Sequence, residues 1–147
     1  MLPKSDAFTR ASSAITSWVT SGDTAALTST SRAWTPQEWM HAIDALPRDL
    51  ATTKMAALDR AFHLSSSPNA EIAHVWYRLA IAAKYDAAFP AMERYLLSIG
   101  RRKLIVPLYR DLAATPSGKA LAERIYAKAR PGYHPLAVNT LDQLFKK

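Results

Sequence analysis

The sequence predicts an all-α protein of the α-α superhelix class, an armadillo- or HEAT-like stack of short antiparallel helices. Apolar residues recur at spacings of three and four, and no stretch shows the sustained two-residue alternation of a half-buried strand. Proline, glycine and serine divide the chain into about eight helices of roughly 10–15 residues. Helices this short suit stacked pairs better than a four-helix bundle. No sequence repeat accompanies them, so any repeat is expected to be structural only.

Length and composition predict a single domain over residues 1–147. With 49% hydrophobic residues, a chain of 147 residues can bury one core. The absence of cysteine excludes disulfides, thiolate zinc sites and a cysteine nucleophile, and it fits a reducing, cytoplasmic location. No apolar run approaches the ~20 residues of a membrane span, and the N-terminus lacks the apolar stretch of a secretory signal.

Four helices are predicted in the first half of the chain. They run from after Asp6 to Ser21, from Thr35 to Leu46, from Leu50 to Phe62, and from Asn69 to about Lys84. The strongest start signal is Thr35-Pro36-Gln37-Glu38, a capping box with proline at the first helical position. Asn69 is expected to cap the fourth helix, whose apolar stripe is the most regular in the chain.

Four more helices are predicted in the second half, each placed by a proline, glycine or capping residue. Asp86 is expected to cap a helix to Ile99, with Pro90 in its first turn and Gly100 just after its end. Pro107 is expected to open a helix to Ala113, which Thr115-Pro116-Ser117-Gly118 separates from a helix around Leu121–Tyr126. Pro135 precedes a final helix to Phe145.

Positive charge is confined to the C-terminal part. Residues 1–93 hold 8 Lys and Arg against 9 Asp and Glu, whereas residues 94–147 hold 11 against 3, giving formal charges of −1 and +8. A regional excess of this kind indicates an acidic partner, or otherwise a solvated basic surface. Three of these cations, Arg101, Arg102 and Lys103, follow Gly100 at a junction between two predicted helices and form a candidate anion site.

Catalytic motifs are absent. The chain has no His-Glu-x-x-His, no Gly-x-Ser-x-Gly and, with 4 glycines, no glycine-rich phosphate loop. Two Glu-x-x-His pairs, Glu38/His41 and Glu71/His74, together with Glu93 and Glu123, match the ligand count of a di-iron bundle. Because Glu38 also fits a capping role and the helices are short, capping and surface roles are preferred, and no metal site is predicted in this chain.

The four tryptophans could stack on bases, but several lie on apolar stripes and all are distant in sequence from the basic segment. Core packing is therefore preferred. Since no nucleic-acid-binding module is recognisable either, we expect no nucleic-acid partner.

A series of short motifs resembles the C-terminal domain of leukotriene A(4) hydrolase-type zinc aminopeptidases. They are Asn69-Ala70-Glu71-Ile72, Trp76-Tyr77-Arg78-Leu79, Lys84-Tyr85-Asp86-Ala87-Ala88, Gly100-Arg101-Arg102-Lys103, Pro107-Leu108-Tyr109-Arg110-Asp111-Leu112 and His134-Pro135. Their order and spacing agree over residues 69–135, whereas the N-terminal half resembles the family only in its helical pattern.

The resemblance implies a larger parent enzyme with an N-terminal β domain and a zinc catalytic domain, whose cleft this helical domain closes. The catalytic residues and the zinc would belong to the catalytic domain, so the fragment alone would be inactive. Arg101 and Lys103 match the family's Arg and Lys that bind the free carboxylate of a substrate. Arg102 stands where the family often has an apolar residue, which leaves open whether Arg101 or Arg102 is the anchoring arginine.

The alternative from the residues alone is a free-standing helical-repeat module whose basic surface holds an acidic protein partner. An upstream His-Glu-x-x-His in the same reading frame would distinguish the enzyme domain from this module.

Overall fold

A computed structural model describes residues 4–99 and 101–145, and every regular element in them is helical, which confirms the all-α prediction. The α-helices are α1 (Lys4–Ser21), α2 (Thr24–Ser31), α3 (Pro36–Asp44), α4 (Thr52–Phe62), α5 (Ala70–Ala83), α6 (Phe89–Ser98), α7 (Arg102–Ala113), α8 (Pro116–Ala129) and α9 (Pro135–Leu144). Short 3₁₀ turns lie at Leu64–Ser66, Asp86–Ala88 and Arg130–Gly132. Gly100, predicted to follow a helix end, lies outside the described residues.

The chain divides into two compact units, Met1–Tyr85 and Asp86–Lys147. In the first unit, α1, α3 and α5 pack in one row, while α2 packs on α1 and α4. Packing between next-but-one helices is the pattern of an α-α superhelix, in which each helix covers the apolar face of its neighbours. Its core holds the fully buried side chains of Ile15, Ile43, Met55, Leu58, Trp76 and Leu79.

The second unit follows the same rule within itself. Helix α8 packs on α6 and α7, and α7 also packs on α9. The largest fully buried side chains here are those of Met92, Leu96, Ile105, Leu108, Tyr109 and Leu112.

Two predicted helix starts of the first unit, at Thr35 and Asn69, are confirmed, whereas α1 begins at Lys4 rather than after Asp6, and α4 begins at Thr52 rather than at Leu50. The Thr35 hydroxyl accepts from the Glu38 amide at 3.2 Å, while Glu38 Oε1 accepts from the Thr35 amide at 3.2 Å, which completes the capping box. Asn69 Oδ1 accepts from the Glu71 and Ile72 amides at 2.9 and 3.0 Å. These bonds satisfy amides that have no partner inside the helix.

Helix α2 was not predicted. It buries only Leu27 and Ser31, so it lacks the apolar stripe by which the other helices are recognised. Asp23 caps it by accepting from the Ala26 amide at 3.0 Å, and the Trp18 indole of α1 donates to Thr24 Oγ1 at 3.1 Å. The helix therefore depends on tertiary contacts that periodicity does not reveal.

A polar network in the first unit centres on the half-buried Asp59. Its carboxylate accepts from the Ser65 amide at 2.9 Å, the Ser65 hydroxyl at 2.6 Å and the Tyr85 hydroxyl at 3.1 Å. The Trp76 indole donates to Ser65 Oγ at 2.9 Å, and the Tyr77 hydroxyl donates to the Ser65 carbonyl at 2.5 Å. The network thus holds the 3₁₀ turn that follows α4 against α5.

The tryptophans pack as expected. Trp18 and Trp76 are buried. The half-buried Trp39 packs edge-on against both Trp34 and Phe62, with ring centroids 4.9 Å apart in each case. Aromatic packing of this kind accounts for these side chains without a stacked base.

The predicted start of α6 at Asp86 is wrong. Asp86 opens a 3₁₀ turn, and α6 begins at Phe89 with Ala88 at its N-cap and no side-chain cap. Pro90 explains the shift, because it has no amide proton to donate to the Asp86 carbonyl, as a regular α-helix from that point would require. Pro90 does lie in the first turn, as predicted.

The prediction that Pro107 opens a helix is wrong. Pro107 lies inside α7, because the helix begins five residues earlier, at Arg102. An interior proline costs about 3 kcal/mol. The three preceding side chains, Leu104, Ile105 and Val106, are all buried, and each contributes about 1.5–3 kcal/mol. The free energy gained by burying these three side chains exceeds the cost of the interior proline, so the helix begins before Pro107.

The prediction that Thr115-Pro116-Ser117-Gly118 separates two helices is wrong, because this segment forms the start of α8. Thr115 is the N-cap and accepts from the Gly118 amide at 3.1 Å, with Pro116 in the first turn. A Cβ on Gly118 would lie 2.2 Å from the Leu112 carbonyl oxygen, so the close approach of α7 and α8 requires glycine here.

Candidate anion-binding site

The cations predicted to bind an anion stand at the N-terminus of α7. Arg101 is the N-cap residue, with φ −72° and ψ 115°, and Arg102 and Lys103 are the first two residues of the helix. All three are exposed. The helix macrodipole adds partial positive charge at this end, so side chains and backbone both favour an anion.

Backbone donors are also available at this helix end. Arg101 makes no side-chain cap bond, and its carbonyl accepts from the Leu104 and Ile105 amides at 2.9 and 3.1 Å. Within the described residues, the amides of Arg102 and Lys103 have no hydrogen-bond acceptor. Free amides at a helix start are well suited to bind an anionic oxygen.

Arg102 differs from its neighbours in having a partner. Its Nε donates to Thr140 Oγ1 of α9 at 3.1 Å, and that hydroxyl donates in turn to the Leu136 carbonyl at 3.1 Å. Among the residues that the structure describes, the side chains of Arg101 and Lys103 have no such contact. Arg102 is thus tied to α9, and Arg101 and Lys103 are accessible to a ligand.

Four other cations of the second unit are paired with a carboxylate or lie at the opposite end of α7. Arg124 and Lys128 lie 3.5 and 3.2 Å from the Glu93 carboxylate, and Arg130 lies 2.8 Å from Asp142. The exposed Arg110 is in the last turn of α7, at the negative end of the helix. Arg101 and Lys103 combine exposure, absence of a described partner and a helix N-terminus.

Two buried tyrosines, Tyr109 and Tyr133, link α6 and α7, the helices that flank this site, and no motif in the sequence assigned them this role. The Tyr133 hydroxyl donates to the Leu96 carbonyl of α6 at 2.5 Å and lies 2.9 Å from the hydroxyl of Tyr109 in α7. Because the single Tyr133 proton goes to a carbonyl, which can only accept, Tyr109 is the donor to Tyr133. A sequence signal did exist, since a tyrosine on an apolar stripe requires a polar partner for its hydroxyl.

Burial changes the acidity of this tyrosine cluster. Burial, followed by the hydrogen bond with Tyr133, raises the pKa of Tyr109 well above its ordinary value, and burial raises the pKa of Tyr133 to about 12. Burial and then the hydrogen bond to Asp142 raise the pKa of Tyr126 to about 12. The three hydroxyls are therefore neutral hydrogen-bonding groups at physiological pH.

Three of the side chains considered for a di-iron site have other roles. Glu38 belongs to the capping box, the ring of His41 stacks on Phe8 with centroids 5.1 Å apart, and Glu93 binds Arg124 and Lys128. In residues 4–99 and 101–145 no group of three or more His, Asp or Glu side chains could hold a metal ion. The described residues thus do not supply a ligand set for zinc.

In the same residues, no helix combines the length and the apolar character needed to cross a membrane.

Helix order and next-but-one packing within each unit define an all-α protein of stacked short helices, with a basic N-terminus on α7. Its family follows from comparison with known proteins. Residues 34–145 match the family model described as leukotriene A4 hydrolase, C-terminal. The chain belongs to this family, and the match begins well before residue 69, where the resemblance of short motifs begins.

Three fungal proteins named leucine aminopeptidase 2 are similar to the chain. The protein of Neurospora crassa is 30% identical over 106 residues, which cover 70% of this chain and 16% of the relative. The protein of Yarrowia lipolytica is 33% identical over 75 residues (51% and 11%), and that of Aspergillus terreus is 30% identical over 89 residues (60% and 14%). The chain thus spans about a sixth or less of the length of these relatives.

Proposed function

We propose that this chain is the C-terminal domain of a zinc aminopeptidase, where it closes one side of the active-site cleft and anchors the C-terminal carboxylate of a peptide substrate through Arg101 and Lys103. Zinc and the catalytic residues would belong to a separate catalytic domain of the same polypeptide, and the chain alone would be inactive. The observation that carries the proposal is the pair of exposed cations at the start of α7, in a chain of the leukotriene A4 hydrolase C-terminal family.

The chemistry of the two side chains suits a carboxylate. The Arg101 guanidinium offers a planar pair of donors that matches the two carboxylate oxygens, and Lys103 adds a compact charge. The free amides of Arg102 and Lys103 and the helix dipole reinforce the same preference. Holding the far end of a short peptide reduces the freedom of its scissile bond, which lowers the barrier to reaction at a distance.

The bond between Arg102 and Thr140 supports Arg101 as the anchoring arginine. A guanidinium already directed at α9 would have to leave Thr140 before it could bind a substrate, whereas Arg101 has no such contact with a described residue. Of the two arginines left open by the sequence, Arg101 therefore requires less rearrangement.

The test compares two forms of one tripeptide, the free acid and the C-terminal amide, as substrates of the full-length polypeptide that carries this chain. A hydrogen bond to a charged group contributes about 1.5–3 kcal/mol, so we expect Arg101→Ala to lower kcat/KM for the acid about 10- to 100-fold and to spare the amide. Lys103→Ala should act in the same direction. Arg110→Ala, which removes an exposed arginine from the opposite end of α7, is the matched control.

Equal losses on the acid and the amide would contradict the carboxylate role. A reading frame without a catalytic domain carrying His-Glu-x-x-His would contradict the enzyme context and favour the free-standing basic binding module.

A further inference from the structure

We propose that Tyr133 and Tyr109 are positioning residues for the substrate anchor, and that they hold the N-terminus of α7, which bears Arg101 and Lys103, by linking the end of α6 to the middle of α7. The inference rests on the proposed function of these two cations. It assigns a role to the hydroxyl groups of a buried tyrosine pair that touches neither cation directly.

The first link is at the end of α6. Leu96 lies in the last turn of this helix, where carbonyl groups lack the amides of a following turn. The Tyr133 hydroxyl, which lies 37 residues further along the chain, donates to the Leu96 carbonyl at 2.5 Å. Leu96 precedes Arg101 by only five residues, so this bond fixes the end of α6 at a short distance along the chain from the anchor.

The second link is to α7. Tyr109, which is fully buried, lies two turns after the N-cap of this helix and donates to the Tyr133 hydroxyl at 2.9 Å. The hydroxyl of Tyr133 therefore accepts from one flanking helix while it donates to the other. The helices that precede and follow Gly100, α6 and α7, are thus joined through this single oxygen.

The burial of the pair makes the links difficult to replace. Tyr109 is 0% exposed and Tyr133 is 9% exposed. Water has little access to the two hydroxyls, so removal of one leaves its partner without a substitute. Since a guanidinium must meet a carboxylate in one plane, a shift of about 1 Å at the anchor is sufficient to weaken catalysis of a distant step.

The cluster also contains a matched control. Tyr126 is buried to a similar degree, and its ring centroid lies 5.7 Å from that of Tyr109 and 6.2 Å from that of Tyr133. Its hydroxyl lies 2.6 Å from Asp142 Oδ1 and 3.1 Å from the Val138 carbonyl, both in α9. Tyr126→Phe therefore removes a hydroxyl from the same aromatic cluster without breaking a bond to α6 or α7.

The experiment measures kcat/KM for the tripeptide acid relative to its amide in the full-length polypeptide. We expect Tyr133→Phe to lower this acid-to-amide ratio about three- to tenfold, through a raised KM for the acid, while Tyr126→Phe leaves the ratio unchanged. Tyr109→Phe keeps the bond to Leu96 and should give an intermediate loss. If Tyr133→Phe does not fold, the comparison of Tyr109→Phe with Tyr126→Phe decides the question.

A double variant separates this inference from the proposed function. In an Arg101→Ala background, Tyr133→Phe should cause no further fall in the ratio, because the group that it positions is gone. A normal Arg101→Ala effect with equal ratios in Tyr133→Phe and Tyr126→Phe would overturn the positioning role alone. An unchanged ratio in Arg101→Ala would overturn the proposed function and this inference with it.

Discussion

The two units bury tyrosine hydroxyls in different ways. In the first unit, Tyr85 donates to the Asp59 carboxylate, which also binds the nearby Ser65. In the second unit, Tyr109 donates to Tyr133, and Tyr133 donates to a main-chain carbonyl. The network around Asp59 is built on a carboxylate and a short loop, whereas the Tyr109–Tyr133 pair joins two neutral hydroxyls from distant parts of the chain. The two units should therefore respond differently to alkali and to the loss of a carboxylate.

Alkaline pH should produce the largest difference between the units. The pKa values of Tyr126 and Tyr133 are raised to about 12, and that of Tyr109 is raised further, from an ordinary value of 10.0. The unfolded chain then loses these protons first, so stability is retained below pH 10 and falls as the pH rises through 10 toward 12. We expect a cooperative loss of helix in the second unit, measured by circular dichroism together with tyrosinate absorbance.

Tyr85 is the corresponding group of the first unit, where burial and then the Asp59 charge raise its pKa. Tyr85→Phe should change the alkaline unfolding transition less than Tyr109→Phe does. Tyr85 belongs to the first unit, which we expect to lose less stability at high pH than the second unit with its three raised tyrosine pKa values. Independent titration of all tyrosines near pH 10, with unchanged helix content, would contradict the expected coupling to unfolding.

Removal of the Asp59 carboxylate should have the second largest effect on the stability of the protein. Asp59→Ala leaves the Ser65 amide, the Ser65 hydroxyl and the Tyr85 hydroxyl without their acceptor, and we expect a loss of about 2–3 kcal/mol in the free energy of unfolding. Asp142→Ala in the second unit is the matched variant. Asp142 is exposed, Arg130 can return to solvent, and Tyr126 keeps the Val138 carbonyl, so the loss should be smaller.

Urea denaturation of both variants measures this difference. A loss from Asp142→Ala as large as that from Asp59→Ala would mean that the surface pair of Arg130 and Asp142 contributes more to stability than its exposure implies.

The same contrast between local and distant contacts explains what could be predicted. Thr35 and Asn69 cap helices through amides two or three residues away, and both caps were read from the sequence. The start of α7 depends on tertiary burial of Leu104 to Val106, so the local signal of Pro107 wrongly predicts the first turn there. Thr115 and Pro116 repeat the Thr-Pro helix start of α3, but Gly118 makes the segment resemble a turn. Glycine is required there by the close contact with Leu112 of α7, and a contact between helices is not visible in the sequence.

The candidate site divides in the same way. Arg101, Arg102 and Lys103 could be placed at a junction of helices from local sequence, and the structure puts them at the start of α7. The tie from Arg102 to Thr140 spans 38 residues and that from Tyr133 to Leu96 spans 37. Contacts at such separations follow from how helices pack, and helical periodicity in one segment carries no information about them.

The smallest effect expected concerns backbone strain in the first unit. Lys84 ends α5 in the left-handed region, with φ 61° and ψ 38°, and His63 ends α4 at φ 55° and ψ 44°. In the described part of the second unit no residue has a positive φ. Glycine adopts this conformation without the Cβ penalty, so Lys84→Gly should stabilise the protein by about 0.5–1 kcal/mol. Lys84→Ala is the control, since it removes the same exposed side chain and keeps the strain. If thermal unfolding gives the two variants the same Tm, the left-handed backbone at Lys84 stores no appreciable strain.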